Sequence, residues 1–388
     1  MTLASEIPLH PDDSCDAPGP APVRVAFFSD AFPERNGTGA YYHDLLAQLA
    51  GRVEDVAVFQ PLDDGRKPLL SMALPGDPGQ RLVTPPLREI RRACDRIAPD
   101  VIVVVTPGLY GLLGVWEARR RGATLLAAFH TDFEQLARMY WNPVSRFFVN
   151  IVLRSANRIV CRASRCVLIN NGDLRADVDR LGAREVEVIG TPLACAFISR
   201  PLAEPVTGLR RVCFAGRLAP EKNVEYIIEA ARELPDIEFV IAGDGPLRES
   251  LQRDAADCAN VRFLGWLQRS SLIDLIDSAS LLLLPSAFET FGSVALEAMA
   301  RGRPALVSTR AGIHAWPSLH EGLFAIDDPR RLGTKLRELR GLGDDEWVAR
   351  SRAARRVAAN LNERTLVHWQ ELLLRHRPAL TGATGGPA

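Results

Sequence analysis

Short apolar runs alternate with helically spaced ones along most of this chain. Val23–Ser29 is such a run, ending at Asp30, and a loop, Asn36-Gly37-Thr38-Gly39, follows it. Ala40–Ala50 then spaces Leu45, Leu46 and Leu49 along one helical face. Asp55–Phe59 reads as a strand, Leu87–Ile97 as a helix, and Val101–Val105 as a strand with no polar residue alternating, hence buried on both sides. Leu109–Arg120 is a helix and Thr124–Phe129 another strand. The pattern then restarts. Arg211–Ala215, Glu238–Ala242, Val261–Leu264, Leu281–Pro285 and Ala305–Ser308 read as strands with helices between them, among them Glu221–Leu234. Strands alternating with helices predict an α/β chain with parallel sheets covered on both faces.

Two such series predict two doubly wound domains. The first 22 residues hold five Pro and four acidic residues without Lys or Arg, so residues 1–22 read as a disordered tail rather than a secretory signal. The first domain is expected over 23–198. Segment 199–208, with two Pro, one Gly and few apolar residues, reads as the linker, and 209–360 as the second domain. A last helix over 361–378 is expected to cross back to the first domain, and 379–388 to be a small-residue tail.

Composition narrows the function classes. The 388 residues carry 47 Lys+Arg against 47 Asp+Glu, so formal net charge is zero, which argues against a general nucleic-acid binder. The apolar fraction of 47% and charged fraction of 24% suit a globular chain, and no apolar run approaches the roughly 18 residues of a membrane span. Seven Cys, an odd number with no Cys-x-x-Cys, fit reduced thiols and a cytoplasmic setting. Only Lys67, Lys222 and Lys335 are Lys, against 44 Arg (47 − 3). A Lys kept in so Arg-rich a background points to chemistry at its position.

The chemistry concentrates where strands end. Arg217 and Lys222 follow Phe214-Ala215-Gly216 at a strand-to-helix junction, a fork and a point charge suited to a diphosphate. In Pro285-Ser286-Ala287-Phe288-Glu289-Thr290-Phe291-Gly292-Ser293, a strand runs into a loop with a carboxylate, and Ser293 is placed to cap the next helix. Glu297 lies about one turn into that helix among Val294, Ala295, Leu296, Ala298 and Met299. Carboxylates here can accept hydrogen bonds from the hydroxyl pairs of a sugar ring or a ribose.

These residues resemble the retaining glycosyltransferases of family 4. Glu289 and Glu297 match their Glu-x7-Glu signature, Arg217 and Lys222 their Gly-Arg…Glu-Lys-Asn segment, and Gly243-Asp244-Gly245-Pro246 their Gly-x-Gly-Pro turn. The likeness is specific over about 210–312 and looser over 23–195. It implies the GT-B fold, two Rossmann-like domains facing across a cleft. It implies a donor site in which Arg217 and Lys222 hold the diphosphate and Glu289 meets hydroxyls of the transferred sugar. Glu297 would bind the ribose, and the amides of Phe291, Gly292 and Ser293 the sugar or phosphate. Gly37 and Gly39 would approach the diphosphate from the first domain, and His130 would lie near the sugar. The base is expected by backbone contacts near Gly243–Pro246 and Gly265-Trp266-Leu267. Asp30, Asp132 and Trp141 are candidates on the acceptor side. No Asp-x-Asp metal motif stands at a strand end, so no metal site and no essential cofactor is expected beyond a UDP- or GDP-hexose as co-substrate. One departure limits the transfer of roles. Ile189-Gly190-Thr191-Pro192-Leu193 stands where members often read Pro-Asn-Gly-Val-Asp, so that loop's contacts are not carried over.

From Arg138 to Arg165 there are six Arg and no acid. After Pro143, the residues Val144, Phe147, Phe148, Ile151 and Val152 are helically spaced. A basic amphipathic helix over 138–165 would suit an anionic membrane surface and a lipid acceptor, with the protein peripheral at the inner face. The same face could instead pack on the first domain's sheet, and a soluble sugar acceptor stays open. Two further readings also stand: a sugar-nucleotide epimerase or hydrolase, and a non-catalytic nucleotide-sugar binder.

Overall fold

The computed structural model describes residues 21–32, 37–61, 68–74, 77–129 and 143–378. His130, Asp132, Trp141 and both expected tails, apart from Ala21 and Pro22, lie outside the described residues. The chain divides into two compact units, one of residues up to Ile189 together with those from Leu366 onward, the other Gly190–Thr365.

The first unit is built on a six-stranded parallel sheet. Its strands are β1 (Ala21–Phe28), β2 (Val53–Phe59), β5 (Val101–Val104), β6 (Thr124–Phe129), β7 (Cys166–Ile169) and β8 (Val186–Val188), in the order β2-β1-β5-β6-β7-β8. The pleat of β1 explains its double coverage. Val23, Val25 and Phe27 join one core with Tyr42, Leu45 and Leu49, while Ala26 and Phe28 join another with Ile90, Tyr110 and Val115. The helices supplying those residues are α1 (Gly37–Leu49), α2 (Leu87–Ile97) and α3 (Leu109–Arg121). An antiparallel hairpin, β3 (Ser71–Leu74) with β4 (Asp77–Val83), stands apart from the alternating pattern and was not foreseen from it. α4 (Pro143–Ala163) follows β6, and α5 (Arg175–Leu181) lies between β7 and β8.

The second unit repeats the design. Its parallel sheet has the order β11-β10-β9-β12-β13-β14, from β9 (Arg211–Ala215), β10 (Glu238–Ala242), β11 (Val261–Gly265), β12 (Leu281–Leu284), β13 (Ala305–Ser308) and β14 (Leu323–Ile326). Alternate residues again part to opposite faces. Cys213, Val240, Leu282 and Leu284 fall in one core, and Val212, Phe214, Phe239, Leu281 and Leu283 in the other. The chain winds from β9 out to β11, then returns to place β12 on the other side of β9. That reversal opens a crevice at the carboxyl ends of β9 and β12, where α/β sheets bind ligands.

Segment 199–208, expected as a linker, is fastened within the second unit. The fully buried Arg301 guanidinium pairs with Asp277 at 2.8 Å and donates to the carbonyls of Arg200 at 2.7 Å and Pro201 at 2.5 Å. Arg303 reaches the Glu204 carbonyl at 2.7 Å. These cations satisfy a backbone that forms no ladder of its own, and the division between units falls earlier, after Ile189. The final helix is long and continuous, Asp344–Arg375, with residues through Thr365 in the second unit and from Leu366 in the first.

Candidate functional site

The loops after β9 and β12 are laced together at the crevice. After β9 a short 3-10 turn, Pro220–Lys222, ends at Asn223, whose φ of 54° is left-handed, a conformation Asn tolerates better than most side chains. Its amide donates to the Pro285 carbonyl at 2.8 Å, and the Ala287 N–H donates to the Glu221 carbonyl at 2.8 Å. α6 (Cys195–Ser199) precedes β9, and α7 (Val224–Glu233) begins directly after Asn223, so the predicted single helix over 221–234 is a turn and a helix instead. The lacing brings Lys222 against Glu289, where they form an ion pair with side chains only 15% and 20% exposed.

Glu289 is fixed from its other side as well. Gly312 N–H donates to the Glu289 carbonyl at 2.9 Å and Ile313 N–H to the Phe291 carbonyl at 2.6 Å. The chain then turns at Gly292 with φ of 102°, and a Cβ there would meet Leu284 Cδ2 at 2.7 Å. Ser293 is the first residue of the following helix, Ser293–Ala300, and Gly292 holds the cap position, so the expected Ser cap is not made. In its first turn Ala295 N–H donates back to the Gly292 carbonyl at 2.9 Å. Glu297 is half-buried on it, and Arg217 is half-buried in the loop after β9.

Two further turns close the crevice toward β10 and β11. Gly243 has φ of 134°, and a Cβ on it would stand 1.8 Å from the Gly216 carbonyl oxygen. Leu218 N–H donates to Asp244 C=O at 2.9 Å, and Leu247 N–H returns to Leu218 C=O at 3.0 Å. Gly243 N–H donates to Gly265 C=O at 2.7 Å, which sets the Gly243 turn beside the exposed Trp266 and half-buried Leu267. On the opposite flank a cavity of about 370 Å³ is lined by Asn223, Tyr226, Ala287, Ser308, Arg310 and Asp327. The crevice thus offers cations, a carboxylate and close-approaching backbone, a set suited to a polyanionic, hydroxyl-rich ligand.

In the first unit the corresponding topological reversal lies between β1 and β5, and Asp30 sits there. Its Oδ1 accepts from Tyr110 N–H at 2.9 Å, and its Oδ2 accepts from the Thr106 hydroxyl at 2.7 Å and from Gly111 N–H at 3.3 Å. Asp30 therefore caps the start of α3 from a distant strand. Burial pushes its carboxyl above the usual range, with the Thr106 and backbone hydrogen bonds pulling the other way. Gly108 must be glycine for this, since a Cβ would lie 2.5 Å from the carboxylate. Gly37 opens α1 and Gly39 is buried within it.

Two family models match this chain in succession: Glycosyltransferase Family 4 over residues 35–196, and Glycosyl transferases group 1 over residues 202–316. The solved sucrose-phosphate synthase from Thermosynechococcus elongatus superposes with a TM-score of 0.68 at 16% identity, covering 90% of this chain and 98% of its own. The fold is that of the GT-B glycosyltransferases. Anabaena Alr3699/HepE in complex with UDP-glucose gives this GT-B chain a TM-score of 0.63 at 16% identity, covering 91% of this chain and 98% of that one. Among curated relatives, a GDP-mannose-dependent alpha-(1-6)-phosphatidylinositol dimannoside mannosyltransferase of Mycobacterium tuberculosis is 29% identical over 280 residues, 69% of this chain and 71% of its own.

Of the residues expected from the sequence, Lys222, Glu289, Gly243 and Gly292 all lie on loops at the carboxyl ends of the second sheet. Asn223, the last residue of the Glu-Lys-Asn match, was given no role there, and the fold makes it a tie between the two loops. Sequence reasoning also missed the Gly312–Ile313 backbone, which leaves no side-chain trace.

Proposed function

We propose that the chain is a retaining hexosyltransferase that moves a sugar from a UDP- or GDP-hexose to a hydroxyl of a membrane lipid or glycolipid, without an essential divalent metal. The carrying observation is the laced crevice that holds Lys222 against Glu289 at the reversal point of the second sheet. Arg217 and Lys222 take the diphosphate, Glu289 accepts from the sugar hydroxyls, and Glu297 takes the ribose. The amides of Phe291, Gly292 and Ser293 meet the sugar or phosphate, while the backbone at Gly243 and Leu267 borders the base. Gly37 and Gly39 at the diphosphate, His130 near the sugar, and Asp30, Asp132 and Trp141 toward the acceptor complete the proposal.

Without donor, Lys222 neutralises Glu289. Donor binding exchanges that pairing for a phosphate on one partner and hydroxyls on the other. As the bond from the anomeric carbon to the phosphate oxygen breaks, its electron pair moves to the phosphate, and the fixed cations stabilise the growing charge. The acceptor oxygen bonds to the same face of the sugar and passes its proton to the leaving phosphate, which retains configuration.

A lipid acceptor is supported by the named substrate of the mycobacterial relative and by one surface. On α4, Ile151, Val152 and Ile159 are 48%, 65% and 47% exposed beside exposed Arg154, Arg158 and Arg162. Val160 and Cys161 on the same helix are buried in the core. No helix among the described residues is long and apolar enough to cross a membrane, so contact would be peripheral.

Thermal-shift screening against UDP-, GDP- and ADP-hexoses tests the donor, since saturating ligand raises the melting point by mass action. NMR of the product then reads the anomeric configuration, and a chelator arm reads metal dependence. Failure of every donor to stabilise the protein would remove the reading. Equal donor consumption with and without acceptor would favour a hydrolase.

A further inference from the structure

Four metal-ligating side chains converge at the amino ends of β7 and β8, far along the strands from the carboxyl-end loop that carries Asp30. Cys166 opens β7, Glu185 immediately precedes β8, Glu187 lies within it, and His376 directly follows the final helix. One ligand atom from each lies within 4.8 Å of the other three. Sheet register sets this arrangement. Leu168 is paired with Glu187, and Val167 N–H donates to Glu185 C=O at 2.8 Å. The i, i+2 spacing therefore puts both carboxylates on one face of the edge strand.

The burial is unusual for side chains of this chemistry. Cys166 is fully buried, and His376 is only 8% exposed, yet its Nε2 has no hydrogen-bond partner among the described residues. A buried polar atom left unpaired normally marks strain, a function or a missing ion. Glu187 is oriented from outside the group: His368 Nε2 lies 2.5 Å from Oε1 and Arg375 donates to Oε2 at 3.0 Å. Carboxylate oxygens have spare lone pairs, and such outer hydrogen bonds typically hold a ligating carboxylate in place.

We propose that Cys166, Glu185, Glu187 and His376 bind one Zn2+ ion. One sulfur, one imidazole nitrogen and two carboxylate oxygens make a four-donor set of the kind Zn2+ takes tetrahedrally. The soft thiolate disfavours Mg2+ and Ca2+. The present spread of the four atoms is wider than a closed tetrahedron, so binding draws them inward, and the exposed Glu185 is the ligand with room to move. All four positions of this site come from protein, so it is structural. It fastens the end of the final helix to the sheet edge and takes no part in sugar transfer. Its failure would leave the proposed function untouched.

The test uses the full chain, stripped with a chelator and dialysed against Zn2+, with bound metal counted by mass spectrometry. We expect one tightly held equivalent per chain and a higher melting temperature. Co2+ in place of Zn2+ is expected to give the intense thiolate charge-transfer absorption of a tetrahedral sulfur-ligated site, which needs no variant. Cys166→Ser should abolish that band, and His376→Ala should weaken metal affinity at least about tenfold. Cys195→Ser, at an exposed thiol outside the group, should change neither. Wild-type protein that takes up no stoichiometric Zn2+ and shows no Co2+–thiolate band overturns the proposal. So does binding unchanged in both Cys166→Ser and His376→Ala.

Discussion

Lys222 and Glu289 form an ion pair across the crevice at the carboxyl ends of β9 and β12, though they lie 67 residues apart in the chain. Each is the other's mostly buried counter-charge. Removing one leaves an uncompensated charge in a partly desolvated place, so neither side chain can be lost silently. With the proposed transfer reaction, Lys222→Met is expected to lower kcat by about 10²–10³, the usual loss when one fixed donor to developing charge is removed. Steady-state kinetics check this, and a variant with wild-type kcat would remove Lys222 from the mechanism.

Gly243 admits no side chain. Its left-handed φ and the 1.8 Å approach to the Gly216 carbonyl oxygen oppose a Cβ together. Gly243→Ala is expected to cost more than about 1 kcal/mol in stability. It should also weaken donor binding, because the loop that accepts Leu218 N–H at Asp244 must shift. Denaturant titration and donor thermal shifts on the same samples read both effects.

Asp30 gives a pH signature. Its carboxyl is raised in the folded chain by burial, so below the unfolded value of 3.8 both states are protonated and no cost arises. As pH climbs from there through the raised folded value, the unfolded state ionises first and stability falls. Above the folded value the loss is constant. Relative to Asp30→Asn, the wild type is therefore expected to gain stability as pH drops through the acid range. Asp30→Ala should cost about 1–3 kcal/mol by leaving the Tyr110 and Gly111 amides without their acceptor. Parallel stability curves for wild type and Asp30→Asn across that range would contradict the account.

Trp369 anchors the last helix in the first unit. It is fully buried, its ring lies 5.9 Å from Phe27, and its indole N–H donates to the Tyr41 hydroxyl at 3.2 Å. Trp369→Ala is expected to destabilise the chain by about 3–5 kcal/mol, read by urea unfolding. Truncation before Leu366 should be at least as damaging, since it also removes Leu366, Leu372 and Leu373 from the same core.

The exposed face of α4 makes a last prediction. Vesicles of anionic lipid should bind the protein at low salt and release it as salt screens the contact. Arg158→Glu should weaken binding by more than the roughly 1 kcal/mol carried by one surface cation, because it reverses the charge. Ile151→Ser with Val152→Ser should weaken it further. Flotation of wild type that is absent at low salt would sink the membrane part of the proposal.

The two parallel sheets are legible in the amino-acid sequence alone. Val101–Val104 and Leu281–Leu284 are apolar at every position, as strands covered on both faces are, and their shortness between helical patterns sets them apart from buried helices. The charges Lys222 and Glu289 can be read there too, because they stand where strands end, although their pairing cannot. What the sequence could not determine were relationships between distant loops. In the sequence Asp30 is a strand-end carboxylate and an acceptor-side candidate, and only the fold brings the start of α3 to it. Nothing in the local pattern marks Arg301 as buried, and only packing sets it against the carbonyls of Phe197, Arg200 and Pro201. Strand register alone joins Cys166 to Glu185 and Glu187, and the path of the last helix alone adds His376. Local pattern reports the period of an element and which face is apolar. Hydrogen-bond partners far apart in the chain are chosen by sheet order and register, and those are settled only when the whole core closes.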